Sequence, residues 1–396
     1  MKVLVAQLGA ASFRYRLFDM QREQLLARGG VERIGSSDVR CFIETGGRLD
    51  ESSQPVPDHT AAVKLALEQL KDERCLNGPG DLKGIGVRAV QGGKYVGVHR
   101  ITPEVLAEME RVSPVAPAHN PTHLKGLRQI AETLPEIPLV AAFETGFHET
   151  IPARNRTYAV PYEWADKYGV RRWGFQGASH RYIGARTAEL LGRRDLRIIS
   201  CHLAATSSVC AMRDGQSVAT TMGMSPQSGV PSFHRVGDFD AFALPVLIAQ
   251  SGKTLDGLFQ ELASRGGLFG LSGIDGDMRD LEAAAKEGHE RAKLAIDVFV
   301  TSVKHAIGAY FVELGQADAI VFTGAVGEKH PAVRAAICEG LEGLGVYLDA
   351  DANAGVTSGE AIVTLYGSNV PVWVVPTNEE LIIARQTKAV LECEKA

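Results

Sequence analysis

Apolar and polar residues alternate along Met1–Leu8 (M-K-V-L-V-A-Q-L) and again along Phe13–Phe18 (F-R-Y-R-L-F). Successive side chains of a strand point to opposite faces, so this period of two predicts a pair of strands. The small residues between them, Gly9-Ala10-Ala11-Ser12, predict a tight hairpin. Leu196–His202 repeats the theme: an apolar strand runs through Leu203-Ala204-Ala205-Thr206-Ser207-Ser208 into a second strand, Val209–Arg213. Two strand–small-turn–strand units in one chain suggest an internal duplication. Turns of this kind present backbone N–H groups to an anion, although two ordinary hairpins give the same pattern.

Continuous apolar runs at Leu139–Phe143, Ala319–Thr323 and Pro371–Val375 predict buried strands. The period changes to 3.6 in Ile296–Leu314, the clearest helix, and Ala61–Lys71 reads as a short amphipathic helix; further helices are expected after Thr102-Pro103-Glu104 and over Leu381–Glu394. Thr102 followed by Pro103 is a cap and first-turn signal. Gly46–Thr60, polar with two prolines, reads as a loop, and Pro114–Pro121 as a rigid segment. Gly324–Glu328 reads as a turn after a strand.

The chemistry-bearing residues fall at the ends of these predicted strands. Arg88 follows Ile85-Gly86-Val87 and precedes Gly92-Gly93. A forked guanidinium backed by glycines suits a carboxylate or phosphoryl group, although an exposed arginine is commonly only a solvated charge. Glu144 and Thr145 follow Phe143, where α/β enzymes place acids and metal ligands, and where a helix cap is the plain alternative. His119 and Asn120 end the proline-rich segment, and Arg235 stands before another glycine turn, Val236-Gly237-Asp238. Ser251-Gly252-Lys253-Thr254 resembles the end of a phosphate-binding loop, but Leu247 stands where that motif requires glycine. No serine-hydrolase elbow or zinc-protease motif occurs, and the eleven histidines show no zinc-type spacing.

Composition narrows the class. The 396 residues, 45% hydrophobic and 22% charged, suffice for two or three globular domains. A net charge of −5 gives no electrostatic footprint for nucleic acid or an anionic membrane. No apolar run approaches the roughly 20 residues that span a bilayer, and the N-terminal apolar stretch is too short for a signal-peptide core. Six cysteines without metal spacing are expected to be reduced thiols of a cytoplasmic protein.

Ten collinear segments together resemble the acetate and propionate kinases, within the sugar kinase, heat-shock protein and actin superfamily. They are M-K-V-L-V-x-x-L-G-x-x-S, G-V-R-A-V-Q-G-G, A-P-A-H-N-P, F-E-T-G-F-H, Y-G-V-R-R-W-G-F-Q-G-A-S-H, C-H-L, H-R-V-G-D, S-G-I-D-G-D-M-R-D, F-T-G-A-V-G-E and P-T-N-E-E-L. The resemblance implies an α/β protein of two duplicated actin-like ATPase domains with βββαβα cores and an interdomain cleft. It places one domain at residues 1–147 plus 381–396 and the other at 148–380. It implies ATP and Mg²⁺, a small carboxylate substrate, an acyl phosphate product and a homodimer.

By the same resemblance, Arg88, Glu144, Arg235, His119 and Gln176 would be catalytic. Ser12, Arg14, His202, Asp277, Arg279, Gly324 and Gly327 would bind the nucleotide. Val90, Ala118, Phe175 and Pro226 would line the acyl pocket, and Gln7 and Glu379 would lie on the metal side. Several positions depart from the family pattern. Gln7 replaces asparagine, Glu144 aspartate, Ala118 leucine, and Gln91 and Gln176 histidines. The turn H-L-G-N-G is His202-Leu203-Ala204-Ala205-Thr206, G-S-S-S is Gly9–Ser12, and Lys329 replaces an asparagine. Glutamine hydrogen-bonds but carries no proton charge. These departures support a second reading, a catalytically impaired relative that binds a nucleotide or acyl phosphate. They also predict weaker ATP binding than in the family at large, because alanine methyls restrict close approach to phosphate.

Overall fold

A computed structural model describes residues 1–116 and 120–393. The chain forms two compact units: Met1–Gly146 together with the C-terminal segment from Asn378, and Phe147–Thr377.

In the first unit, alternation folds as the sequence predicts. Strands β1 (Lys2–Gly9) and β2 (Ser12–Asp19) pair antiparallel from Lys2–Asp19 to Gly9–Ser12, leaving Ala10 and Ala11 at the exposed tip. The sheet continues through β3 (Gln24–Glu32), β4 (Arg40–Thr45), β5 (Arg48–Ser52), β6 (Leu82–Ala89), β7 (Val98–Arg100) and β8 (Leu139–Phe143). Its order is β5-β4-β3-β2-β1-β6-β8-β7, with β1, β6 and β8 parallel. Leu4, Phe13, Leu17, Ile85 and Val87 pack one face against helices His59–Asp72 and Asn120–Thr133. Helix Glu379–Cys393 lies against β6 on the other. That contact requires Gly86, because a β-carbon there would stand 2.3 Å from Thr387 Oγ1.

One expectation needs correction here. The Gly46–Thr60 loop contains strand β5, which pairs with β4 across Gly46 and Gly47 at φ +55° and +84°. All five β5 residues are exposed, so burial imposed no alternation on R-L-D-E-S. At the start of Pro114–Pro121, Pro114 and Val115 belong to the 3₁₀ turn Ser113–Val115, and near its end Asn120 opens a helix.

The second unit has strands β9 (Arg197–His202), β10 (Ser208–Arg213), β11 (Gln216–Thr220), β12 (Ala319–Thr323), β13 (Ala361–Ile362) and β14 (Val372–Val374), in the order β11-β10-β9-β12-β14-β13. Here β9, β12 and β14 are parallel and the first three strands antiparallel. The run β11-β10-β9-β12-β14 repeats the run β3-β2-β1-β6-β8 of the first unit. The echo in the hairpin sequences is therefore a structural duplication.

Helix Glu290–Leu314 buries Phe299, Val303 and Ile307 in the second core. By length and composition it is also apolar enough to cross a bilayer, beyond what the sequence pattern suggested. Its buried row marks it as a core helix, with Asp297, Lys304 and Glu313 among its other residues. Gly324–Lys329 is a short helix rather than a turn. In Ser251–Thr254, Gly252 ends one helix at φ 68° and Thr254 Oγ1 caps the next through Gly257 N at 3.1 Å.

Candidate active site

The parallel strands of the first unit end side by side. The register sets Arg88 of β6 beside Ala142 of β8, and Val87 beside Ala6 of β1. Gln7, Arg88 and Glu144 thus meet at the carboxyl edge of the sheet, where open α/β sheets hold ligands. Helix Glu379–Cys393 adds Glu379 and Glu380 from its first turn.

Arg88 sits between two acids. Its Nε lies 2.7 Å from Glu144 Oε1 and its Nη1 2.9 Å from Glu379 Oε2. The carboxylates are mostly buried, with 5% and 12% of their side chains exposed, against 37% for Arg88. Glu144 first, and then Glu379 and Glu380, hold the guanidinium charged and push its pKa further above its ordinary value, against the cost of burial. Gln7 Nε2 donates to Glu380 Oε1 at 2.9 Å, and Arg16 Nη1 lies 3.2 Å from Glu380 Oε2.

Three carboxylates, Glu144, Glu379 and Glu380, stand here beside the Arg88 and Arg16 guanidinium groups. Their oxygens, with the Gln7 amide oxygen, make a hard donor set. Among the described residues no group of three or more acidic, histidine or cysteine side chains is placed to chelate a metal. One or two carboxylates without a closed cage fit a divalent cation that keeps water and phosphate oxygens as ligands.

Around this centre, other expected residues take supporting positions. Asn120 Nδ2 donates to Gln91 O at 2.9 Å and Met109 O at 3.0 Å, and Gln91 Oε1 accepts from Gly93 N at 3.1 Å. Asn120 therefore fixes the turn that follows Arg88. Val90 is buried beside it, and Ser12 faces Gly9 across the hairpin. Arg14 is exposed and paired with Glu32 at 2.6 Å, committed across the strands. Ala118 and His119 lie outside the described residues.

The second unit holds a row of buried histidines. His148, His180 and His202 have ring centroids 5.9 and 6.5 Å apart. His148 contacts Ser217 Oγ at 2.9 Å and Phe175 O at 2.8 Å, and burial lowers its pKa to about 4. His180 lies between Ser200 Oγ at 2.9 Å and Ser208 Oγ at 2.8 Å, and burial pushes its pKa well below the ordinary value. His202, ending β9, meets Ser179 Oγ at 2.7 Å, which meets Thr377 Oγ1 at 2.9 Å. Gln176, beginning a helix with φ 59°, donates to Thr206 O and Thr206 Oγ1, both at 3.0 Å.

Arg235 is half-buried, with Nη1 3.3 Å from the carbonyl of buried Pro226. Phe175 is fully buried. Gly324 opens its helix at φ +79°, where a β-carbon would lie 2.6 Å from Leu203 O. Gly327 lies in the same helix. Its carbonyl and that of Glu328 accept from buried Arg334 at 3.0 and 2.9 Å, and Glu328 Oε1 accepts from Gly324 N at 2.9 Å. Asp277 caps helix Met278–Lys286 through Arg279 N and pairs with the exposed Arg279 side chain at 2.7 Å.

The sequence reading missed Arg16, Glu380, Ser179, Thr377 and Arg334. Glu380 and Thr377 lie in the P-T-N-E-E-L segment and Ser179 in the G-F-Q-G-A-S-H segment, whereas Arg16 and Arg334 lie in none of the quoted motifs.

Residues 2–385 match the family model described as "Acetokinase family". The chain is 43% identical over 387 residues to acetate kinase of Geobacillus kaustophilus, covering 97% of this chain and 98% of the relative. Among solved structures, acetate kinase of Porphyromonas gingivalis aligns with a TM-score of 0.89 at 37% identity, over 98% and 99% of the two chains. A propionate kinase from Francisella tularensis aligns with a TM-score of 0.91 at 30% identity, over 98% and 99%.

Proposed function

Because the chain belongs to the acetokinase family, we propose a division of roles among its residues for the family reaction. The protein is a phosphotransferase with a carboxyl acceptor: it moves the γ-phosphoryl group of ATP to a short-chain carboxylate, giving an acyl phosphate and ADP. The end-to-end relationship carries this conclusion. Family members use ATP and a divalent metal.

A carboxylate oxygen forms a bond to the γ-phosphorus while the bond to the ADP oxygen breaks. The nucleophile is already an anion and ADP leaves as one, so the transfer itself moves no proton. A neutral glutamine at position 176 therefore deletes no proton-transfer step. The difficulty is electrostatic, because two anions must meet in line.

In this reading, Arg88 and Arg235 neutralise the carboxylate and the moving phosphoryl group, with His119 and His202 as phosphate donors. Glu144 is the residue that orients Arg88, supported by the 2.7 Å contact. Mg²⁺ is the proposed metal on the side of Glu379 and Gln7, where it would neutralise phosphate oxygens. Val90, Ala118, Phe175 and Pro226 are the proposed acyl-contacting residues. Ser12, Arg14, Asp277, Arg279, Gly324 and Gly327 are the proposed nucleotide-side residues. Of these, Arg14 is paired with Glu32, and Asp277 with Arg279.

A cytoplasmic homodimer is part of the same proposal. Its support is an apolar surface on the second unit, where Phe242 is 87% exposed beside Val246, Leu255 and Phe259. Incubation with Mg-ATP and acetate or propionate, with hydroxylamine trapping of acyl phosphate, tests the activity. Absence of trapped product with every short carboxylate would refute it.

A further inference from the structure

Phe175 lies outside helix and strand, between two residues in the left-handed region, Gly174 at φ 73° and Gln176 at φ 59°. A backbone of this kind keeps one shape only where its surroundings hold it. Trp173 N and Gly174 N donate to Gly223 O at 3.0 and 3.2 Å, which ties the start of the segment. The Phe175 carbonyl is tied by a side chain: it accepts from His148 Nε2 at 2.8 Å. The same ring packs on the segment itself, since a β-carbon on Gly174 would stand 2.6 Å from His148 Cγ and Cδ2.

The carbonyl fixes the direction of every bond behind it. Phe175 O can only accept, so His148 carries its proton on Nε2. Burial keeps the ring neutral at neutral pH, with a pKa of about 4, and Nδ1 is therefore bare and accepts from Ser217 Oγ at 2.9 Å. Ser217, its proton committed, accepts from the Cys210 thiol at 3.4 Å. Cys210 and Ser217 belong to the neighbouring strands β10 and β11, and Thr150 Oγ1 donates to Ser217 O at 2.8 Å. His148, Phe175, Cys210 and Ser217 are all buried, so water does not compete for these bonds. The sheet of the second unit thus reaches the Phe175 backbone through one imidazole.

We propose that His148 is the positioning residue for Phe175, and that by holding this aromatic wall it sets the length of acyl chain the protein accepts. The inference rests on the kinase reading above, in which Phe175 contacts the acyl group. Without the imidazole the Phe175 peptide is free to rotate, and its ring turns with it. The wall then yields to a longer chain.

Steady-state kinetics with acetate, propionate and butyrate test this. His148→Asn keeps an oxygen for Ser217 but is too short to reach Phe175 O, whereas His148→Gln retains an N–H at the reach of Nε2. The asparagine variant should raise the butyrate-to-acetate ratio of kcat/KM about three- to tenfold, the range of one lost hydrogen bond, and leave KM for Mg-ATP unchanged. The glutamine variant should restore most of the original ratio. In a Phe175→Leu background, His148→Asn should change the ratio no further, because the two residues act through one another. Thermal melts establish that each variant is folded. Where the asparagine variant does not fold, His148→Met, which fills the space without a donor, is read in the same way. A folded donor-less variant with the starting ratio would overturn the proposal, and so would equal ratios in the asparagine and glutamine variants. If the starting protein forms acyl phosphate while either result holds, only this inference fails. If the starting protein forms no acyl phosphate from any of the three acids, the kinase reading fails and takes this inference with it.

Discussion

Replacing Arg88 by alanine should damage stability and catalysis together, by separable amounts. The guanidinium bridges Glu144 and Glu379 at 2.7 and 2.9 Å. Its removal leaves two mostly buried carboxylates without their shared cation. Removing one partner of a buried ion pair costs about 3–5 kcal/mol. With over a third of Arg88 exposed, water screens the pair, and about 2 kcal/mol is the reasonable share. For a unit of this size that lowers Tm by about 4–8 °C. The rate should fall by about 10² or more, since the same fork stabilises the transferring charge. Arg88→Lys separates the two roles, because it keeps a charge among the acids but lacks the planar fork. Its Tm should recover by about half while its rate stays low. Thermal melts and hydroxylamine trapping of acyl phosphate read the two quantities on the same samples. An unchanged Tm in Arg88→Ala would refute the structural bridge, and a near-normal kcat would refute the assignment to the reacting groups.

Arg235→Ala should lower kcat by a comparable factor, about 10², because its guanidinium is proposed to meet the charge of the transferring phosphoryl group; a near-normal kcat would contradict that. Burial holds the His148 pKa at about 4, whereas the unfolded chain takes up its proton near 6.5. The neutral folded form costs nothing above pH 6.5, and stability falls as pH drops from 6.5 through about 4, by up to about 3 kcal/mol from this group. Urea unfolding at pH 7.5, 6.5, 5.5 and 4.5 should show a shallower acid limb in His148→Gln, and equal slopes would refute the argument. The acceptor series acetate, propionate and butyrate should favour a longer chain by about 1–2 kcal/mol, because Ala118 stands where the family pattern has leucine and each buried methylene is worth about 0.8 kcal/mol. A kcat/KM clearly highest for acetate would defeat this.

The sequence by itself determined what neighbours along the chain decide. Alternation set β1, β2 and their hairpin. Thr102 and Pro103 set a helix start, and Gly252 and Thr254 marked one helix end and the next beginning. The family motifs carried the fold class and the reaction. The exposed strand β5 was illegible because a strand with no buried face needs no apolar period. Partners far apart in the chain were decided only by tertiary structure. Arg88 meets Glu379 across 291 positions, since parallel strands align their carboxyl ends and a terminal helix returns to them. Gln176 looks, in sequence, like a histidine that lost its charge. The fold turns its amide toward Thr206, thirty residues on, because a buried polar group must find a partner and the strand register determines which one is near.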